Sequence, residues 1–162
     1  GAQVIATAGS KEKCAALEQQ GAMPIQYRTE DLKSRILALT GEQGVDVILD
    51  VIGGEYVDKN IASLAVKGRI IQVGVMAGKP LPFNVGLLLG KRASITGTVL
   101  RARPTEEKIA ISRQFAAEML PLFSTGAMKP VVDSVYPFEK IADAHVHMAS
   151  NANVGKIVVM VV

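Results

Sequence analysis

The 162-residue sequence has the length of one ordinary domain, and its composition, 49% hydrophobic and 20% charged, is typical of globular proteins. The single cysteine, Cys14, excludes an internal disulfide and a cysteine-clustered metal site, and a formal charge of +3 is too small for a dedicated nucleic-acid-binding protein. No apolar run reaches the roughly 18 residues that a membrane-spanning helix needs, so we expect a cytoplasmic protein that does not contact a membrane.

Strand and helix patterns alternate through the first half of the chain. Residues 3–8 are an apolar, β-branched run that predicts a buried strand, and a helix follows over 11–20. Ser10 suits the N-cap of this helix, and Gly21 suits the position just past its end. The next predicted elements are a strand over 24–27, a helix capped by Asp31 and ending near Leu39, a strand over 45–52, a helix over 56–65 and a strand over 69–74.

The second half continues the alternation and then departs from it. After a loop with Gly78, Pro80 and Pro82, the predicted elements are a short helix over 85–89, a strand over 93–100, a long helix over 106–124, a strand over 131–136, a helix over 138–148 and a strand over 156–162. The alternation predicts an α/β fold of the Rossmann-like, doubly wound type, with a mostly parallel sheet and helices on both faces. The rhythm changes after Pro130, so we expect the last strands to lie in a different sheet.

Ligands bind an open parallel sheet at the carboxyl ends of its strands, so the residues after each strand are the candidates for a site. These segments are 7–10, 27–28, 52–54, 74–78 and 98–100. Three of the five contain glycine, which lets a backbone approach a flat ligand closely. One such loop would be an ordinary turn, but several at matching strand ends favour a binding site.

The most specific of these segments contains Ser10, with Lys13 one turn later. Enzymes that use NAD carry an acidic residue at the end of the second strand, and a hydroxyl and a lysine occur here instead. These groups could bind a 2′-phosphate, which favours NADPH; the alternative is an ordinary helix cap followed by solvated lysines. Tyr27 closes the next strand and could contact the adenosine, or it could be a partly buried residue at the edge of the core.

No catalytic residue and no metal site are predicted. His145 and His147 lie two residues apart on a predicted helix and therefore face different sides. The sequence shows no discernible Ser-His-Asp constellation and no carboxylate pair at a distinctive spacing. We expect Asp50 to bond neighbouring backbone at the end of its strand.

A succession of short motifs covers essentially the whole chain. They are Val-Ile-Ala-Thr-Ala-Gly-Ser-Lys-Glu-Lys over 4–13, Gly21-Ala22, Tyr27, Gly-Val-Asp-Val-Ile-Leu-Asp over 44–50, Ile-Gly-Gly over 52–54, Gly68-Arg69 and Gly155-Lys156. In this order and spacing they resemble the medium-chain dehydrogenase/reductase superfamily, and most closely its zeta-crystallin-like quinone oxidoreductase branch.

The resemblance implies a zinc-free reductase that transfers hydride from NADPH to a quinone or a related enone. Residues 1–130 would be part of the NADPH-binding Rossmann domain, and residues 131–162 would return to the catalytic domain of the parent enzyme. Members are usually homo-oligomers, and residues 94–100 would be the edge strand through which two copies pair.

The resemblance also implies a set of cofactor contacts, which are transferred from the family to this sequence position by position. Ser10, Lys13 and Tyr27 would bind the adenosine phosphate end, Ile52 and Gly53 the adenine and ribose, Gly74, Val75 and Met76 the nicotinamide ribose, and Thr98, Val99 and Leu100 the nicotinamide amide through their backbone. Asn153 would make a further, late contact.

The sequence departs from the family pattern in one region. The family's first Rossmann strand and the glycine-rich loop that holds the pyrophosphate are missing. Three explanations stay open: the sequence is a fragment of a longer chain, the remaining strands close up, or another copy supplies an edge. We expect the chain by itself to bind NADPH weakly and to turn over almost no substrate.

The alternative function is a non-enzymatic binding module for RNA or a regulatory partner. Some zeta-crystallin relatives are associated with RNA binding, and Lys91, Arg92, Arg101 and Arg103 form a small basic group. The modest net charge favours a solvated surface as the meaning of this group, so nucleic acid is not the expected partner.

Overall fold

The computed structural model describes residues 1–78 and 83–161. They form two compact units, Gly1–Arg103 and Pro104–Val162. Pro80, Pro82 and the last residue of the predicted final strand, Val162, lie outside the described residues. The boundary predicted near residue 130 concerns the domains of a parent enzyme and stays a prediction.

The first unit alternates strands and helices. Its elements are β1 (Ile5–Ala8), α1 (Lys11–Gln19), β2 (Met23–Gln26), α2 (Leu32–Leu39), β3 (Val45–Asp50), α3 (Tyr56–Ser63), β4 (Leu64–Gln72), α4 (Val85–Lys91) and β5 (Ser94–Gly97). The second unit contains α5 (Thr105–Glu118), α6 (Leu120–Ser124), β6 (Val132–Pro137), a 3-10 turn over Phe138–Lys140, α7 (Ile141–Ser150) and β7 (Lys156–Met160).

All hydrogen-bonded strand pairs are parallel. β1 pairs with β2, while β3, β4 and β5 form a three-stranded sheet with β4 in the middle. β6 and β7 form a separate two-stranded sheet in the second unit. The predicted α/β class, the parallel strand pairing and the separate sheet late in the chain are therefore confirmed.

β1 and β3 belong to different sheets within residues 1–78 and 83–161. In the doubly wound order a strand lies between the two strands that correspond to β1 and β3. These two strands do not pair with each other, and each has a hydrogen-bonded neighbour on one side only. The explanation in which the remaining strands close up is therefore wrong.

The helix caps form as the sequence predicts. The Ser10 hydroxyl accepts a hydrogen bond from the backbone N–H of Lys13 at 3.3 Å, and the Asp31 carboxylate accepts one from the N–H of Ser34 at 2.9 Å. Gly21, just past α1, adopts a φ of 83° that favours glycine. Each cap satisfies a backbone group that a helix end leaves without a partner, and so fixes where the helix starts or stops.

Two small clusters form the core of the first unit. α2 packs on β2 to make the first cluster, and α3 packs on β4 to make the second. The buried members are Ile25, Leu32 and Ile36 in the first cluster and Ile61, Leu64 and Ile70 in the second. Val45, at the start of β3, packs against both clusters and so connects them.

The three-stranded sheet is covered on one face only. Ile48 of β3 packs into the second cluster, whereas Val47 and Leu49, which point to the opposite face, are 45% and 71% exposed. Among the described residues, the helices that pack against β3, β4 and β5 therefore lie on one face of these strands. The cause is topological. The connections from β3 to β4 and from β4 to β5 both run in the same direction along the sheet, and right-handed connections that run in the same direction place their helices on the same face.

Several predicted element boundaries are also wrong. The strand expected over 93–100 covers only Ser94–Gly97. The helix expected over 56–65 ends at Ser63, because Leu64 already pairs with Val45 as the first residue of β4. The helix expected over 106–124 breaks at Met119 into α5 and α6, with Pro121 in the first turn of α6. Proline has no N–H for the preceding turn and its ring crowds that turn, so a continuous helix is disfavoured there.

Candidate cofactor-binding site

The carboxyl ends of β1 and β2 form the first part of the site. The backbone N–H of Tyr27 bonds to the carbonyl of Ala8 at 3.2 Å and holds the two strand ends side by side. The Tyr27 side chain lies over Gly9, where a Cβ would be 2.7 Å from the phenol oxygen and 3.3 Å from Nε of Arg28. Glycine at position 9 leaves room for this approach without displacing the Tyr27 or Arg28 side chain.

Charged groups lie in this part of the site. Arg28 belongs to a segment that the sequence singled out without assigning it a role, and Glu12 was not singled out. Arg28 contributes a cation next to Tyr27, and the rule of examining strand ends points directly to it. Glu12 contributes a carboxylate in the first turn of α1, whose pKa is lowered by hydrogen bonds from its own backbone N–H and from the Ser10 hydroxyl. A phosphate here would therefore gain from Lys13 and Arg28 and be repelled by Glu12.

Tyr56, the first residue of α3, lies between the first part of the site and the end of β3. Burial raises the pKa of its phenol, and the neighbouring Tyr27, Glu55 and Asp50 raise it further. The ring also packs against the first core cluster, and Nζ of Lys59 lies 5.2 Å from its centroid. These neighbours place Tyr56 close to both strand ends.

Asp50 organises the loop after β3, as predicted. It is buried, and its carboxylate accepts hydrogen bonds from the backbone N–H groups of Ile52 at 2.6 Å and Gly53 at 3.1 Å. A third donor, Nδ2 of Asn60 on α3, lies 3.0 Å away. The carboxylate thereby fixes the two residues that were assigned to the adenine and ribose side.

The loops after β3 and β4 are tied together. The N–H of Met76 bonds to the carbonyl of Val51 at 3.1 Å. Gly74 lies so close to Val51 that a Cβ would be 3.0 Å from its carbonyl oxygen, and a Cβ on Gly53 would be 3.3 Å from Cγ1 of Val75. The two glycines thus allow two predicted site segments to pack directly on each other.

An open cleft of about 470 Å³ lies at the carboxyl ends of β4 and β5. It is lined by Gln72, Val73, Gly74, Val75, Gly97, Thr98, Val99 and Arg103. Four of the predicted cofactor-binding residues thus share one cavity, since residues 74–75 and 98–99 were both assigned to the nicotinamide end. Leu100 follows directly in the chain and is exposed.

Gln72 connects the three strand ends around the cleft. Its side-chain Nε2 donates to the carbonyl of Gly74 at 2.6 Å and to that of Asp50 at 3.2 Å. Its own carbonyl accepts from the N–H of Thr98 at 3.0 Å. The side chain of Gln72 therefore holds the loops after β3 and β4, and the backbone of the same residue holds the loop after β5.

Arg103 lines the cleft, although the sequence placed it in a surface basic group. Its Nε donates to the carbonyl of Val99 at 2.9 Å and its Nη2 donates to Oγ1 of Thr98 at 3.0 Å. Lys91 of the same group donates to the carbonyl of Leu64 at 2.7 Å. Two of the four cations proposed for RNA are thus used within the fold, which weakens that alternative.

Asn153, the last predicted contact, belongs to the second unit. There its Nδ2 donates to the carbonyl of Gly155 at 2.8 Å and so shapes the turn before β7. A contact of this residue with a cofactor stays a prediction.

The second unit contains a polar cluster around His147 that the sequence did not reveal. Nδ1 of His147 lies 3.1 Å from the Tyr136 hydroxyl and 3.4 Å from that of Ser134, and Nε2 lies 3.6 Å from the Asp133 carboxylate. A register irregularity in β6 between Val132 and Ser134 lets neighbouring residues reach one ring. The serine contact is the longer of the two at Nδ1, so the cluster is better suited to joining α7 to β6 than to activating a nucleophile.

Within residues 1–78 and 83–161, no group of three or more His, Cys, Asp or Glu side chains could hold a metal ion. The same residues include no helix that is long and apolar enough to cross a membrane.

Comparison with known proteins places the chain in a family. Residues 20–159 match the domain family described as zinc-binding dehydrogenase. The chain belongs to this family. It is part of the medium-chain dehydrogenase/reductase superfamily, which confirms the resemblance inferred from the motifs. The described side chains do not form the zinc site that the family's name suggests.

Individual family members support the same assignment. The chain is 32% identical over 157 residues to quinone oxidoreductase-like protein 2 of Bos taurus, covering 96% of this chain and 45% of that protein. The quinone oxidoreductase of Escherichia coli, solved in complex with NADPH, superposes with a TM-score of 0.80 and 27% identity over 99% of this chain and 50% of its own. An NAD-dependent alcohol dehydrogenase superposes with a TM-score of 0.77 and 30% identity over 100% of this chain and 45% of its own.

The chain spans about half the length of the curated relatives it matches. Within that span, the site has three features that are typical of a nicotinamide dinucleotide site. The parallel strands end on one side in glycine loops, the backbones of two loops approach each other closely, and an open cleft follows. The residues therefore fit such a cofactor.

Proposed function

We propose that the first unit holds the NADPH of a zinc-independent quinone or enone oxidoreductase. The single observation that carries the proposal is the cleft at the ends of β4 and β5, which gathers residues 74–75 and 98–99 in one cavity. In a parallel sheet of a dehydrogenase family, a cleft at this edge is where a dinucleotide is expected.

The adenosine end would bind at β1 and β2. Ser10, Lys13 and Tyr27 are the proposed contacts, and Arg28 adds a cation that can reach a 2′-phosphate. Ile52 and Gly53, held by Asp50, would line the adenine and ribose. Because one solved neighbour binds NADPH and another is NAD-dependent, the choice of NADPH rests on this chain's own cations rather than on the relatives.

The nicotinamide end would occupy the cleft. Gly74, Val75 and Met76 would lie along its ribose, and the backbone of Thr98, Val99 and Leu100 would meet its carboxamide. The bound cofactor would supply the hydride, and the residues of this chain would bind and orient the ring against the acceptor. We propose no catalytic acid from this chain, so the acceptor would be one that takes hydride directly, such as a quinone or an enone.

Titration calorimetry with NADPH and NADH tests this assignment. We expect weak binding, because the sequence contains no G-x-G-x-x-G turn to hold the pyrophosphate, with NADPH tighter than NADH. Lys13→Ala is expected to weaken NADPH by about tenfold, equal to about 1.4 kcal/mol, and to leave NADH unchanged. Lys33→Ala, which removes an exposed lysine on α2, is the matched control. Tighter binding of NADH, or no effect of Lys13→Ala, would contradict the cofactor assignment.

Assembly and location remain proposals as well. β5 is an edge strand, paired with β4 on one side, so a second copy could extend the sheet there and form a homo-oligomer through residues 94–100. Sedimentation velocity over a range of concentrations would detect such an assembly. A cytoplasmic location is likewise proposed from the sequence composition.

A further inference from the structure

We propose that Arg103 is a positioning residue for the nicotinamide carboxamide, acting through the backbone of residues 98–100. This inference rests on the proposed function, because it assumes that the nicotinamide occupies the cleft. Arg103 was not expected in the site, and its role follows from its contacts within the cleft.

Arg103 bonds to three consecutive residues of the loop after β5. Its guanidinium donates to Oγ1 of Thr98 and to the carbonyl of Val99, at 3.0 and 2.9 Å, and its backbone N–H donates to the carbonyl of Leu100 at 3.2 Å. The guanidinium is a planar fork of fixed geometry, so two donors of one side chain define the orientation of the loop. Charged donors also make stronger hydrogen bonds than neutral ones.

Within residues 1–78 and 83–161, the pairing of this loop with β4 ends early. β5 ends at Gly97, and the bond from the N–H of Thr98 to Gln72 is its last strand-like contact with β4. Val99 and Leu100 are 55% and 63% exposed, so packing does not fix their backbone. Arg103 therefore supplies the second anchor of a loop whose first anchor is β4.

The contact with Val99 also determines which backbone group the loop presents. In a trans peptide the C=O and the following N–H point in opposite directions. With the Val99 carbonyl directed at Arg103, the N–H of Leu100 points away from the guanidinium. The loop then offers a donor, which matches the oxygen of a carboxamide. Loss of Arg103 would free this peptide to rotate and would mainly affect recognition of the nicotinamide half.

The test compares NADPH with 2′,5′-ADP, which contains the adenosine phosphate end and lacks the nicotinamide. By calorimetry on the full chain, Arg103→Ala is expected to weaken NADPH by about tenfold and to leave 2′,5′-ADP unchanged, since one charge-assisted anchor is lost. Arg103→Lys should recover part of the loss because it keeps one charged donor. Arg101→Ala is the matched control, since Arg101 is close in the chain and does not line the cleft.

The possible results distinguish the proposed nicotinamide site from the proposed positioning role of Arg103. If the wild type binds NADPH no more tightly than 2′,5′-ADP, the nicotinamide site of the proposed function fails. If the wild type binds NADPH more tightly than 2′,5′-ADP, two results for Arg103→Ala overturn the positioning role alone. One is an unchanged ratio of the two affinities with both affinities as in the wild type, and the other is an equal loss of affinity for both ligands. Should the alanine variant not fold, the amide resonance of Leu100 in the wild type provides the test. It must shift with NADPH and not with 2′,5′-ADP, and the opposite result overturns the inference.

Discussion

The side chain of Asp50 shows how one buried carboxylate can organise a binding loop. Two backbone N–H groups and the Asn60 amide donate to it, so its charge is fully hydrogen-bonded within the protein. A carboxylate at a strand end was recognisable in the sequence, and its bond to nearby backbone was predicted. Its partner Asn60 lies ten residues away on a helix, and only the packing of α3 against β3 brings the two together.

Removal of this carboxylate should be costly. Asp50→Ala leaves two amide N–H groups and a buried Asn60 side chain without their acceptor, so we expect a loss of about 2–4 kcal/mol in the free energy of unfolding. Urea denaturation measures the change. Asp46→Ala, at an exposed position of the same strand, is the control and should change stability by less than about 0.5 kcal/mol. Similar losses in the two variants would contradict the organising role.

The cap of α2 predicts a dependence of stability on pH. Hydrogen bonds from the Ser34 hydroxyl and then from its backbone N–H lower the pKa of Asp31 below the ordinary value of 3.8. A carboxyl group whose pKa is lower in the folded protein stabilises that protein at pH values above the group's ordinary pKa. This stabilisation is lost as the pH falls through the folded-state pKa. Asp31→Ala should therefore reduce stability at neutral pH and have less effect as the pH drops below 3.8. Thermal unfolding at several pH values tests this, and a difference that is constant with pH would contradict it.

At the scale of elements, the turn between α2 and β3 shows where glycine is required. Gly41 and Gly44 both adopt positive φ, at 57° and 81°. A Cβ on Gly41 would meet nothing within 4 Å, whereas one on Gly44 would lie 2.6 Å from the backbone carbonyl oxygen of Ser63. Gly44 thus combines a left-handed conformation with a close approach to the start of β4.

These two glycines give a matched pair of variants. Gly41→Ala should cost about 1–2 kcal/mol for its backbone conformation alone. Gly44→Ala should cost about 2 kcal/mol more, because the added methyl group forces β3 and β4 apart where Val45 pairs with Leu64. Urea denaturation of both variants measures the difference. Equal destabilisation would show that the close approach has no energetic consequence.

Helix starts and strand cores were predictable because they depend on neighbours in the sequence. Ser10 and Asp31 cap helices through residues three positions ahead, and β3 and β4 contain short runs of apolar, β-branched residues. The start of β4 at Leu64 was missed because it depends on pairing with Val45, which is remote in the chain. Local pattern therefore predicts which elements exist, while tertiary pairing decides where they end.

The candidate site was predictable to a similar degree. The rule that ligands bind at strand ends found the segments around Gly74 and Thr98, and these line one cleft. It missed Arg103, since the direction in which a long side chain folds back is not encoded in residue spacing. It also missed Glu12, whose carboxylate is turned towards Ser10 by the start of α1.

At the scale of the whole molecule, the chain contains one unit with the features of a dinucleotide site and a second unit with a sheet of its own. The chain covers about half of its curated relatives, so reduction of a quinone or enone is a proposal for the whole protein. We propose that this chain supplies the binding and orientation of the cofactor to that reaction.

We propose above all that NADPH binds across the carboxyl ends of the strands in the first unit. Nuclear magnetic resonance titration of the ¹⁵N-labelled chain tests it most directly, because chemical shifts report weak binding residue by residue. NADPH is expected to shift the amides of Ser10, Gly53, Gly74 and Thr98 together, and NADH should leave Ser10 nearly unchanged. Unchanged spectra, or shifts confined to Lys91 and Arg92, would contradict the account.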